Sequence, residues 1–392
     1  MGSVSQVTKQ KGEAGLDPSN IPWFVLFFDL VVVAAFSQTA KMYQADPTWF
    51  TSAFVAGCIL LVYSIWAVTT IESLVVATET WTHRIIGFIQ MSAIIVAALS
   101  LGHGKGLQDA WGFAALSVAL GCAAVFTGLH RNSWNTTTTH TRRRVILLSL
   151  AAVIFFIGAW ISPDATLGGV EVLLFVFFLG AAATVAGALT LIPQMVESSS
   201  AVRGHVVQER FGLILLIVLG DSFLLLLTSV GAERTIPQPL YFVASILLVF
   251  AIWTLYFPAL ASSELATKLG RSYARIGAHF LLVLSSTVAI VACTSLAKST
   301  LEQVLEVSDE GSWTALPIAS IAASFLWLTL LRDNRMSPAA IVHLVSFVVL
   351  FMLAMLAIPA SNMQAYWLLL IAVGVLVIEA VLSLVVSPRA RQ

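Results

Sequence analysis

The chain has 392 residues, 59% hydrophobic and only 10% charged, with twenty basic and twenty acidic side chains and no net charge. A soluble domain carries about 25% charged residues, so this composition excludes a water-covered globular fold and implies the lipid bilayer as the first partner. Zero net charge says nothing by itself about other partners, and no nucleic acid is expected among them.

Residues 1–22 are polar, carrying Lys9, Lys11, Glu13 and Asp17, with no short apolar segment followed by a cleavage site. They read as a cytoplasmic tail, with the first membrane helix acting as the insertion signal. A crossing needs roughly 20 apolar residues. Twelve segments qualify: 23–42, 50–72, 84–102, 110–129, 145–161, 170–192, 208–230, 239–258, 275–297, 313–331, 339–358 and 365–387. The expected fold is all-α, a polytopic transmembrane bundle of about twelve spans. It divides into a first half over 23–192, a cytoplasmic linker over 193–207, a second half over 208–387 and a tail over 388–392. Trp23, Trp49, Trp111, Trp160, Trp313 and Trp367 fall near segment boundaries, where indole rings favour the headgroup layer. Cys58, Cys122 and Cys293 lie inside apolar runs with no CxxC pair, so they read as packing residues.

Orientation follows from the basic residues. With an even number of spans both termini share a side. That side holds fifteen Lys or Arg: Lys9, Lys11, Arg84, Arg131, Arg142, Arg143, Arg144, Arg203, Lys268, Arg271, Arg275, Arg332, Arg335, Arg389 and Arg391. The opposite loops hold Lys41, Lys105, Arg234 and Lys298, and Arg210 is assigned to the membrane boundary. The bias puts both ends in the cytoplasm of a cell-membrane protein. The run Arg142-Arg143-Arg144 reads as part of that topology signal, with anionic-lipid binding as the other reading.

A parallel internal repeat is expected. Leu26-Phe27-Phe28-Asp29-Leu30 with Ser37-Gln38 precedes Arg210-Phe211-Gly212-Leu213-Ile214 with Asp221-Ser222 by 184 positions. Tyr63-Ser64-Ile65-Trp66 recurs as Phe250-Ala251-Ile252-Trp253. Two six-helix halves starting on one side imply a pseudo-two-fold axis along the membrane normal. The tract Gly180-Ala181-Ala182-Ala183, with Ala186-Gly187, suits close helix packing.

The seventh segment carries the most informative chemistry. Glu209 and Arg210 open it, and Asp221 lies twelve residues beyond Glu209, roughly 18 Å along the axis. A charge at that depth costs at least about 2.5–3.5 kcal/mol, so it faces an interior, a partner or a wet path. Arg210 and Asp221 fall within about 20° of one helical face. Asp29, Glu72, His205, Glu209 and Arg210 are expected near cytoplasmic helix ends, with Glu379 in the cytoplasmic half of the last segment. Two readings compete. In one, the acids favour helix N-terminal dipoles and Arg210 snorkels or pairs with one of them. In the other, a polar vestibule admits a proton, an ion or a polar headgroup, with Asp221 as its deeper station. Gln38, His279 and His343 are secondary candidates; a lone intrahelical histidine ordinarily makes one structural hydrogen bond. There is no HxxxH or HExxH pair, no Walker sequence, no G-x-S-x-G elbow and no G-x-G-x-x-G after a strand, so neither a metal nor a cofactor is expected.

The stretch from Trp23 to Leu30, then Ala35-Phe36-Ser37-Gln38, resembles the W-x-E-L-F-F-D-L…A-x-S-Q signature of the bacterial low temperature requirement A family. His205-Val206-Val207-Gln208-Glu209-Arg210-Phe211-Gly212-Leu213, followed by Ile217 to Ser222, is similar to its H-x-x-E-R-F-G-L…I-V-L-G-E-S. Val25 stands where the family has Glu, and Asp221 replaces its second Glu. The tract rich in Asp after the second helix is reduced to Glu79 and His83-Arg84. The resemblance implies a multi-pass membrane protein and lends little to mechanism. The residues favour a proton- or cation-coupled carrier working through intramembrane carboxylates. The alternatives are an intramembrane enzyme, with Asp221 or Glu209 as general acid and Arg210 and His205 holding an anionic lipid or isoprenoid headgroup, and a sensor or scaffold. The catalytic residues of an enzyme, the substrate and the oligomeric state are not specified by the sequence.

Overall fold

The computed structural model describes residues 23–386 outside the connecting segments 46–47, 76–79, 103–109, 131–137, 168–169, 198–200, 230–236, 262–268, 299–308, 334–335 and 358–364. Lipid offers no partner to backbone N–H and C=O groups, so a spanning chain must satisfy them within each segment, and helices do so. The described helices are α1 (Trp23–Ala45), α2 (Trp49–Val75), α3 (Trp81–Gly102), α4 (Ala110–Leu129), α5 (Thr138–Gly158), α6 (Val172–Leu189) and α7 (Leu191–Glu197). They continue with α8 (Ala201–Ser229), α9 (Pro237–Ala261), α10 (Leu269–Lys298), α11 (Asp309–Asp333), α12 (Pro338–Ala357) and α13 (Ala365–Val386). Between the helices the described residues form turns and one small antiparallel ribbon, Thr166–Leu167 against Val170–Glu171. Each of the twelve apolar segments of the sequence overlaps a helix, although 145–161 runs past the end of α5 and 170–192 takes in part of the ribbon, all of α6 and the start of α7.

Among the described residues ten helical segments are long and apolar enough to cross a membrane. The other two apolar segments fall on α5 and α9. Three arginines at Arg142, Arg143 and Arg144 occupy the second turn of α5, leaving a short apolar remainder. α9 supplies the apolar stretch Phe242–Phe257. Residues 193–207, read from sequence as a linker, contain most of α7 and the first two turns of α8.

In the first half α1 packs on α2 and α3, α3 on α4, α4 on α5, α5 on α6, and α6 returns to α2. In the second half α8 packs on α9 and α10, α10 on α11, α11 on α12, α12 on α13, and α13 returns to α9. The halves meet where α1 lies against α8 and α10, with α2 and α7 also touching α10.

Small residues set the closest approaches. A Cβ on Gly180 of α6 would come within 2.6 Å of the Phe155 ring on α5, and one on Gly187 within 3.3 Å of Leu148. Phe155 in turn lies between Phe113 and Phe177, with ring centres 5.9 Å and 6.2 Å away. Large apolar side chains such as Phe88, Phe156, Phe175, Leu224 and Val385 point outward, as expected where the surrounding solvent is hydrocarbon. Trp111, Trp160 and Trp367 are exposed at or beside helix ends. The side chains of Trp23, Trp49 and Trp313 lie outside the described residues.

Candidate functional site

The few charged side chains turned into the bundle gather in separate groups. The largest lies where α1, α2, α8, α9 and α10 converge. Asp29, about two turns into α1, is fully buried, and its Oδ1 accepts the indole N–H of Trp66 from α2 at 2.6 Å. Arg210 of α8 is also buried, with Nη1 3.6 Å from Asp29 Oδ2. The pair is long for a hydrogen bond, and no closer partner of Nη1, Nη2 or Oδ2 lies among the described residues. Aromatic rings enclose it. Trp66 lies 5.2 Å from Tyr63 and 5.6 Å from Phe211, centre to centre.

His279 of α10 fixes this wall. Its Nε2 lies 2.8 Å from the Phe211 carbonyl and its Nδ1 3.0 Å from the Tyr63 hydroxyl. A carbonyl only accepts, so Nε2 carries the proton, and a neutral ring then takes the Tyr63 O–H at Nδ1. His279 therefore holds the backbone of α8 one residue beyond Arg210. Tyr256 of α9 packs against the same imidazole at 5.8 Å.

Deeper along the same two helices, Ser37 of α1 donates its hydroxyl to the Asp221 carboxylate of α8. Ser37 lies eight residues beyond Asp29, roughly 12 Å further along α1. Among the described residues the partner of Asp221 is this hydroxyl and not a cation. Both charged positions of α8, Arg210 and Asp221, thus meet α1, at Asp29 and Ser37 respectively.

A second group joins α2 to α5 and α7. Glu72 and Arg144 form a fully buried ion pair. Arg144 also donates to Gln194 of α7, and from Nε to Thr190 at 3.1 Å, while Gln194 donates to Thr141 at 3.0 Å. Arg144 is thus not only part of a charge bias. It turns inward, whereas Arg142 and Arg143 are exposed. In a third group His343 of α12 meets Glu379 of α13 at 2.6 Å, with Ser346 also against the carboxylate and Phe325 stacked at 6.1 Å.

The remaining candidates are less enclosed. Gln38 accepts a hydrogen bond from Lys41 at 3.0 Å. Glu209 is exposed, though its charge acts on Arg210. His205 belongs to α8, with its side chain outside the described residues. Thr190 and Gln194 were not singled out from sequence, and Tyr63 and Trp66 only as markers of the repeat, because indole, phenol, hydroxyl and amide groups give no charge signal in an apolar run. Among the described residues no three His, Cys, Asp or Glu side chains gather in a way that could hold a metal ion.

An all-helical chain with many apolar helices, whose interior charges are paired across helices, defines a multi-pass helical membrane protein. The family model for Bacterial low temperature requirement A protein (LtrA) matches residues 21–380, nearly the whole chain, and the chain belongs to that family. No curated protein and no solved structure matches it.

Proposed function

We propose that the chain is a cell-membrane carrier that takes up and releases protons or cations at carboxylates held between α1 and α8. The observation that carries this reading is Asp221, an acid in mid-helix held by a neutral hydroxyl and not by a counter-charge. Asp221 is half-buried, and an acid kept for packing alone at mid-helix in a membrane span is expected to have a cation, because a charge at that depth is costly. A carboxylate on a hydroxyl can gain and lose a proton without stranding a partner. Asp29 and Arg210 form the station nearer the ends of the same helices. Glu72, paired with Arg144, and Glu379, against His343, lie on other helices and are set apart from this path.

The carrier reading includes twelve crossings with cytoplasmic termini and two parallel six-helix halves. The ring of contacts from α1 to α6 and back to α2 has its counterpart from α8 to α13 and back to α9. Ser37 and Asp221 are 184 positions apart, the offset that relates Phe27 to Phe211. Contact between equivalent positions is expected where a two-fold axis runs between two helices. With Arg144 moved inside, the basic bias is fourteen to four, still strongly one-sided.

The experiment is reconstitution of the full chain in liposomes containing a pH-sensitive dye, with an imposed proton gradient or a monovalent cation gradient. Protein-dependent flux is expected. Liposomes no leakier than empty ones under either gradient would overturn the carrier reading.

A further inference from the structure

We propose that Arg210 receives the carboxylate of a small organic acid, and that Asp29 takes up one proton as that carboxylate arrives. This rests on the proton-carrier reading and adds to it an organic acid that moves with the proton. Arg210 is only 2% exposed, yet neither Nη atom has a hydrogen-bond partner among the described residues, and Asp29 Oδ2 beside it has none either. At 3.6 Å the two side chains form a long ion pair, looser than an ordinary hydrogen bond. Folded proteins leave very few buried charged groups in this state, so three such atoms at one point mark a place for an occupant. Two adjacent guanidinium nitrogens match a carboxylate, which accepts one N–H at each oxygen.

Charge balance then dictates the proton. The resting Asp29–Arg210 pair sums to zero. A monoanion entering alone would leave one uncompensated negative charge in a low-dielectric interior. A proton from solution forming an O–H bond at Asp29 Oδ2 restores neutrality, and no other covalent bond changes. Trp66 occupies Oδ1, so Oδ2 is the oxygen left to protonate, and its O–H can donate to the arriving carboxylate. The wall is apolar and aromatic, with Trp66 against Phe211, which favours an acid with an apolar body.

Ionisable groups on the surrounding elements include Glu209 on α8, Tyr63 on α2, Tyr256 on α9, and Arg271, Arg275 and His279 on α10, while Glu72 is turned to Arg144, Asp221 to Ser37, Lys41 to Gln38 and Tyr273 to the Leu189 carbonyl. On α3, His83 is turned to His130 and Arg84 lies over Trp81. None of these is in place of Asp29 against Arg210.

The test is calorimetric titration of the full chain in lipid nanodiscs with benzoate, in two buffers of different ionisation enthalpy. One proton taken up per benzoate bound is expected, and inorganic phosphate, with its extra charge, should bind at least about tenfold more weakly. Asp29→Asn, which resembles the protonated acid, should bind benzoate with no proton uptake. In that background Arg210→Gln strands no charge and should weaken binding at least about tenfold. Failure of benzoate to saturate, proton uptake unchanged in Asp29→Asn, phosphate binding as tightly as benzoate, or binding retained without Arg210 would each overturn the proposal. Flux with no benzoate binding would sink this inference and leave the carrier reading standing. Proton-linked binding without flux would do the reverse.

Discussion

The Glu72–Arg144 pair allows a quantitative check on how the bundle is held. Replacing Arg144 by Met keeps an unbranched stem but removes the counter-charge of Glu72 and the donors to Gln194 and Thr190. Glu72 is fully buried, and breaking one side of a buried ion pair costs about 3–5 kcal/mol. Glu72→Leu should cost a similar amount by stranding the guanidinium. The double variant Glu72→Leu/Arg144→Met leaves no buried charge, and such replacements are neutral or stabilising by about 1–4 kcal/mol when well packed. The two single losses should therefore not add; the coupling should be at least about 3 kcal/mol. Unfolding in mixed micelles by titrated denaturing detergent, followed by circular dichroism, reads all four species. Additive losses in the double variant would refute the claim that the two residues act as one buried unit.

Three further outcomes are expected. Gly180→Leu should destabilise the bundle by about 1–3 kcal/mol through overpacking against Phe155, and Phe155→Ala in the same chain should recover much of the loss; no recovery in the same unfolding assay would contradict the packing. His130, just beyond α4, is held below its ordinary value of 6.5 chiefly by burial and also by His83, with its bond to the Phe126 carbonyl opposing. The unfolded chain then takes the proton first as pH falls, so stability is intact above about 6.5 and declines on acidification. His130→Gln should show a smaller decline between about pH 7 and about pH 5, and an unchanged slope would count against it. For the orientation, a reporter active only in the cytoplasm and fused after Gln392 should work, whereas activity solely of an externally active reporter would reverse the assigned sides.

Helix placement was legible because lipid forces each crossing to be a long apolar run, a signal that survives without any knowledge of packing. Asp29 and Arg210 were legible as costly charges, and pairing of Arg210 with one of the nearby acids was among the readings, but which acid was not legible, since that depends on how α1 and α8 lie together across most of the chain. Arg144 was read with its neighbours as a topology signal because a run of three arginines looks the same whether one points inward or none does. A clue was present: Leu148, Ala151 and Phe155 fall on the same helical face as Arg144, and all four are fully buried. Ser37 belonged to a recognisable stretch, yet a serine hydroxyl in an apolar helix ordinarily returns to its own backbone, as Ser64 and Ser73 do here. Nothing local distinguishes the one that reaches a carboxylate on another helix.

The central claim is that Asp221 carries the transported proton or cation, and the direct measurement is flux through liposomes containing Asp221→Asn beside the parent chain. The amide oxygen of Asn can still accept the Ser37 hydroxyl, so stability should stay within about 1 kcal/mol of the parent. Flux should fall to the level of empty liposomes while the variant remains folded and correctly inserted. A variant that is stable and transports at the parent rate would contradict the account.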